Sequence, residues 1–478
     1  MKISNFCIFI TLTVWINQSV FSQSNRDVNI TIHLRGIHES KISLMSNIGS
    51  PTFKTLQEVT GVKNGQTKVL TVDRKNLPGE FLLRLEYREK EGSQPFPVEK
   101  YIFINQQNLE LWIRPQFSNN PDSTWFHKDE LENNTYQKFI TENGDKKEKL
   151  GILQNFLMSY DDTDSKVYKE AVKEYEKRRI DFHNWLALRK EQDKNLFISH
   201  LYNLQYIPSV PWTGTEKDRI QSLMDQFFDG IDFHDTLMLR TATITKWMDS
   251  YVNLYAQLSV TASLRDSLLS LAGHNAIEKA KTGHPLFYGW MVDYFFRGYE
   301  ANNIPAGMKV LKPYLDDPNC LTTQRKEINR RLQGMETLKA GTTAPDISLK
   351  DQKGNLFELY KYNPDNQYIL LVFWSADCSH CSETVEALYP LLQKPEFAGR
   401  YSVVAVSLDE TETEVEKWEQ MITKLEAWKH IRAVDGVRSK VATDYFILAT
   451  PVMLILDPKT REILATPRNV GEIAAFKK

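Results

Sequence analysis

Cysteine is scarce in this chain, with four among 478 residues. An exported domain stapled by disulfides needs more. The cores must therefore come from apolar packing, which 24 phenylalanines, 20 tyrosines and 10 tryptophans can supply. Charge of one sign is also lacking: the formal net charge is −2 and no long basic run occurs. That removes the electrostatic reason to expect nucleic acid as a partner. Past the N-terminus no stretch is long and apolar enough to span a bilayer, and no tandem repeat is evident. A zinc site needs four ligands, yet there is one Cys-X-X-Cys and no closely spaced histidine pair, so neither metal nor cofactor is expected. At this length, with 41% apolar and 25% charged residues, the chain reads as two or three soluble globular domains.

The N-terminus is what an export signal requires. Lys2 precedes an apolar run over residues 6–16, the length of a signal-peptide core. Val20 and Ser22 then supply small residues for cleavage after Ser22. Residues 1–22 are thus expected to be removed, leaving Cys320, Cys378 and Cys381 in a periplasmic or cell-envelope protein. Membrane association is expected only during export.

Residues 23–115 carry strand periodicity. Val28, Ile30, Ile32 and Leu34 alternate with polar residues, and Phe81, Leu83 and Leu85, then Leu109, Leu111 and Ile113, repeat the pattern. Asn64-Gly65 marks a turn, and Pro78-Gly79 is placed for a type II turn. A small antiparallel β-sandwich is the expected outcome, closed by a linker at residues 115–123. Residues 116–337 turn helical. Tyr168, Val172, Tyr175, Phe182, Trp185 and Leu186 share one face, with Glu174 and Arg178 paired outside it. Thr215 is placed to cap a helix. Phe227, Phe228, Phe233, Trp247 and Tyr251 are read as core packing rather than a ligand groove.

Residues 338–478 alternate strand and helix. Residues 368–374 form a continuous apolar run, as in a strand buried on both faces. Helical spacing follows from Cys378 to Leu392. Strands are expected at 401–408, 452–456 and 462–465, with a helix at 412–428, which implies an α/β sheet with parallel crossovers.

Cys378-Ser379-His380-Cys381 lies where the first of these strands gives way to a helix. Unpaired N–H groups and the dipole at a helix start favour a thiolate on Cys378. His380, if protonated, would add to this, while Asp377 would oppose it. A structural disulfide across so short a loop would stabilise by only about 2 kcal/mol, which favours redox chemistry for the pair. Cys320 is expected to be a buried, inert thiol.

The segment Gly341-Thr-Thr-Ala-Pro345-Asp346, the hairpin Asp351-Gln-Lys-Gly354, the motif Phe373-Trp374-Ser-Ala-Asp-Cys378-Ser-His-Cys381 and Ala449-Thr450-Pro451 together resemble the exported TlpA/ResA-type thiol–disulfide oxidoreductases of the thioredoxin superfamily. The resemblance covers about the last 140 residues. It implies a thioredoxin-like fold, Cys378 as nucleophile, Cys381 as resolving thiol, Trp374 beside them, and a cis Pro451 facing them. Thr450 would offer its backbone to a substrate. The implied partners are protein thiols or disulfides and a membrane or periplasmic redox partner. The helical region looks like those preceding such domains in exported Bacteroidetes proteins. Two features depart from the pattern: Ser379 and His380 stand where relatives often carry a proline, and Thr384 where many have glutamate. Two other functions compete. A peroxiredoxin would need a proline where Leu371 stands. A non-catalytic binding protein with a relic redox domain has no need of Cys378 and Cys381.

Overall fold

The computed structural model describes residues 27–46, 53–447 and 450–477. The expected signal segment, with its cleavage point after Ser22, lies outside the described residues. The chain divides into two compact units. One holds the residues up to Ile207 together with Leu237–Ile244, and the other holds Pro208–Thr236 and Thr245 onward. The helical stretch read from the sequence as one region is thus shared between them.

The first unit begins with two four-stranded sheets, built from β1 (Val28–Leu34), β2 (Glu39–Ser46), β3 (Lys54–Lys63), β4 (Thr67–Val72), β5 (Gly79–Arg88), β6 (Phe96–Ile104), β7 (Leu109–Ile113) and β8 (Trp125–Phe126). Their orders are β4-β1-β7-β8 and β3-β2-β5-β6. Alternate residues of both sheets, among them Ile30, Ile32, Leu111, Leu44, Leu83 and Ile102, close one apolar core, so the sandwich is as the period-2 pattern requires. It differs from expectation in two details. β1 and β7 pair in parallel, whereas the other pairs are antiparallel. Pro78-Gly79 forms no type II turn: the Leu77–Pro78 bond is cis, and Gly79 is already extended in β5, paired with Ile104. Asn64-Gly65 does form its turn, with Gly65 at φ 78°.

Two long helices follow, α1 (Glu132–Ser159) and α2 (Lys166–Gln192). α2 buries Tyr168, Tyr175, Phe182 and Leu186 and pairs Arg178 with Glu174 at 2.7 Å on its outer side.

The second unit contains α3 (Glu216–Asp225), most of α4 (Thr243–Gln257), α5 (Ala262–Lys281), α6 (Pro285–Ala301), α7 (Pro305–Leu315) and α8 (Arg325–Thr337). Thr215 caps α3 reciprocally with Asp218. Phe227, Phe228, Phe233, Trp247 and Tyr251 pack ring on ring, with centroids 4.7–5.7 Å apart. The aromatic run is core, as read.

The hairpin β9 (Ser348–Lys350) and β10 (Leu356–Glu358) leads into a five-stranded sheet. Its strands are β11 (Tyr368–Trp374), β12 (Tyr401–Ser407), β13 (Lys429–Arg432), β14 (Val452–Leu456) and β15 (Ile463–Ala465), in the order β13-β12-β11-β14-β15. β11, β12 and β13 run parallel, while β14 and β15 are antiparallel to their neighbours. Ile369, Leu371 and Phe373 pack into one core, Leu370, Val372 and Trp374 into another. Burial on both faces is why β11 reads as an unbroken apolar run. The second core is covered by α9 (Ser379–Leu392), α10 (Glu412–Ile422) and α12 (Val470–Ala475), and the first includes residues of α11 (Lys440–Asp444). α10 ends six residues before the expected Trp428, because the chain must turn there to lay down β13.

Candidate active site

The Cys378-Ser379-His380-Cys381 motif is placed by β11 and α9. Leu408 donates its N–H to the Trp374 carbonyl, extending the β11–β12 pairing to the last residue of the strand. Ser375, Ala376 and Asp377 then turn the chain, and Cys378 becomes the N-cap of α9 with extended backbone. Its sulfur accepts the Cys381 N–H at 3.3 Å. Helix-end N–H groups without an intrahelical acceptor favour negative charge at this position. The Cys381 Sγ lies 2.6 Å from Cys378 Sγ, on the buried side. Burial, and secondarily the contact with Cys378, push the Cys381 thiol up to about 12. Cys378 is part-exposed, with the Thr450 carbonyl 3.8 Å from its sulfur. The Thr450–Pro451 bond is cis.

Four of the seven residues singled out from the sequence therefore converge: Cys378, Cys381, Thr450 and Pro451. Trp374 is fully buried beneath them, in the same core cluster as Cys381. Asp377 and His380 turn outward. The Asp377 carboxylate is ion-paired to Lys417 of α10, both about half exposed, and this pairing offsets the repulsion Asp377 would exert on a thiolate. The His380 side chain is 74% exposed, with Nδ1 3.9 Å from Glu383. Thr384 lies buried in α9 and donates its hydroxyl to the His380 carbonyl at 2.8 Å, while Glu383 and Glu386 are exposed. No carboxylate of α9 therefore stands beneath the cysteine pair.

A buried carboxylate comes instead from the neighbouring strand. Asp409, just past β12 and fully buried, accepts from the Ser375 hydroxyl at 2.6 Å, the Ala376 N–H at 3.0 Å and the Ser407 hydroxyl at 2.7 Å. Ser375 in turn accepts the Asp377 N–H at 3.2 Å, and its carbonyl accepts the Cys378 N–H at 3.3 Å. Asp409 thus holds the loop that aims Cys378. Sequence reasoning missed it. The available signal was Ser407-Leu408-Asp409, two polar residues closing an otherwise apolar strand.

Cys320 lies apart, buried at 1% exposure between α7 and α8 with its thiol pushed up by burial. Among the described residues no three His, Cys, Asp or Glu side chains converge as a metal site would require. No described helix is long and apolar enough to cross a membrane.

This geometry coincides with a family match. Residues 366–462 fit the family described as thioredoxin-like. The C-terminal domain is thioredoxin-like. Similar solved structures include a thioredoxin-like protein from Bacteroides caccae, 18% identical, with 56% of this chain and 96% of that one covered at a TM-score of 0.39. A thiol-disulfide oxidoreductase from Bacteroides fragilis is 28% identical, covering 28% of this chain and 98% of its own, at a TM-score of 0.25. The thioredoxin domain of a thiol-disulfide oxidoreductase from Bacteroides vulgatus is 25% identical, with coverages of 30% and 99% and a TM-score of 0.25. No curated protein matches the chain.

Proposed function

We propose that the protein is an exported thiol–disulfide oxidoreductase in which Cys378 and Cys381 are the redox pair. The observation that carries this reading is the sulfur of Cys378 at the N-cap of α9, accepting the Cys381 N–H beside the second sulfur. In the reducing direction the Cys378 thiolate attacks one sulfur of a substrate disulfide. A mixed disulfide forms and the other substrate sulfur leaves as a thiolate, which takes up a proton. Cys381 then loses its proton and attacks Cys378, expelling the second substrate thiol and closing the Cys378–Cys381 disulfide. Two electrons pass to the substrate, and the reverse sequence oxidises a dithiol.

The two sulfurs differ in a way that suits this division. Cys381, buried and with its thiol near 12, is protonated at neutral pH and is a poor first nucleophile. It becomes reactive when the mixed disulfide sits beside it. Thr450 and the cis Pro451 offer backbone to the incoming chain, and no cofactor is needed. Export is supported by the pattern of residues 2–22. Trapping tests the reading: with Cys381→Ser, partners should remain on Cys378 as reductant-sensitive adducts. Their absence, with Cys378 shown to be free and reduced, would count against it.

A further inference from the structure

Resting on the oxidoreductase reading, we propose that the helices preceding the thioredoxin-like domain form the second wall of its substrate groove and restrict it to extended, cysteine-bearing polypeptide segments. A groove of about 590 Å³ opens beside the motif. His380, Thr450 and Pro451 line one side, and Ala301, Arg331 and Met335, from α6 and α8, line the other. Thr450 is also the residue whose carbonyl stands 3.8 Å from Cys378 Sγ, so one residue of the groove lining touches the nucleophile.

The helical wall is fixed in place. Gly334 of α8 meets Phe446 so closely that an added Cβ would lie 2.5 Å from the Phe446 Cβ. Only glycine permits that approach. Arg330 donates to the Ala442 carbonyl at 3.3 Å, and Leu338 packs on the core beneath the sheet. Within the helices, Arg331 pairs with Glu300 at 2.9 Å. Arg468, which also lines the groove, pairs with the mostly buried Asp266 of α5 at 2.6 Å. The helices are therefore tied to the domain through α8 and through α5.

Shape decides the substrate class. Docking a folded partner takes roughly 800 Å² of open surface on each side. A two-walled groove of this volume falls within the range that encloses an inserted ligand. A single extended strand bearing a cysteine fits such a groove, and a folded surface meets the helical wall first.

The test uses the full chain and two probes: an unstructured peptide of about a dozen residues carrying one disulfide, and a small aromatic disulfide. Ala301 is exposed at the end of α6, so Ala301→Trp adds bulk to the groove without entering a core. Met335→Trp does the same from α8. Both should lower the ratio of kcat/KM for the peptide over that for the small disulfide about tenfold. Val260→Trp, on a residue 83% exposed and outside the groove lining, should leave the ratio as in the wild type. An unaltered ratio in both groove variants overturns the proposal while leaving the oxidoreductase reading intact. A wild type that turns over neither probe removes that reading, and the groove proposal with it.

Discussion

Asp409 and Ser375 are joined by a 2.6 Å hydrogen bond across the start of the loop that leads to Cys378, with the carboxylate fully buried. Because Ser375 also accepts the Asp377 N–H and, through its carbonyl, the Cys378 N–H, the carboxylate acts on Cys378 through the backbone and is a positioning residue. Asp409→Ala removes the acceptor of the buried Ser407 hydroxyl and of the part-buried Ser375 hydroxyl and Ala376 N–H, at a cost of about 2–3 kcal/mol. It should slow alkylation of Cys378 by several-fold. Asp409→Asn keeps an acceptor for Ala376 and should recover most of that rate. Equal rates in all three proteins, measured where each is folded, would leave Asp409 with a stabilising role alone.

Asp351 opens the β9–β10 hairpin and is ion-paired to Lys429 of β13 at 2.7 Å, with its side chain 3% exposed. The Lys429 ammonium, aided by hairpin N–H groups, holds the carboxyl down at about 2, against about 3.9 in an unfolded chain. A depressed carboxyl stabilises the fold above its unfolded value and loses that contribution as pH falls toward the folded one. Lys429 is part-exposed, so the gain is put at about 1–2 kcal/mol. In hydrogen exchange on the full chain, Asp351→Asn should raise hairpin exchange roughly tenfold at pH 7. The difference from wild type should shrink between pH 4 and pH 2. A difference that persists unchanged at pH 2 would contradict this.

His380 was the residue whose influence the sequence left open. Its side chain is largely in water and faces Glu383, and exposed charges of this kind interact by about 0.2–1 kcal/mol. For a two-electron couple that corresponds to a shift of no more than about 20 mV. Glutathione equilibration of His380→Gln should show a slightly more reducing disulfide at pH 7. A shift of 60 mV or more would place the imidazole closer to the sulfur than the structure does.

What the sequence made legible follows from how the physics is encoded. β11 was read to the residue because burial on both faces leaves an apolar run of strand length with polar ends. The helix start at Cys378 followed from the abrupt change of period. β13 was missed because it has four residues, of which His430 and Ile431 alone are buried, too few for a pattern to rise above the helical spacing before it. The parallel pairing of β1 with β7 joins Ile30 to Leu109, and local alternation carries no sign of strand direction. Asp409 was missed for a similar reason. Its role depends on Ser375, 34 residues earlier, and becomes visible once β12 lies beside β11.

The central claim is that Cys378 attacks and Cys381 resolves, and turnover in single-cysteine variants measures it most directly. Reduction of a polypeptide disulfide should be abolished in Cys378→Ala. Cys381→Ala should instead accumulate a covalent adduct on Cys378 with little turnover. Undiminished turnover in Cys378→Ala would contradict the account.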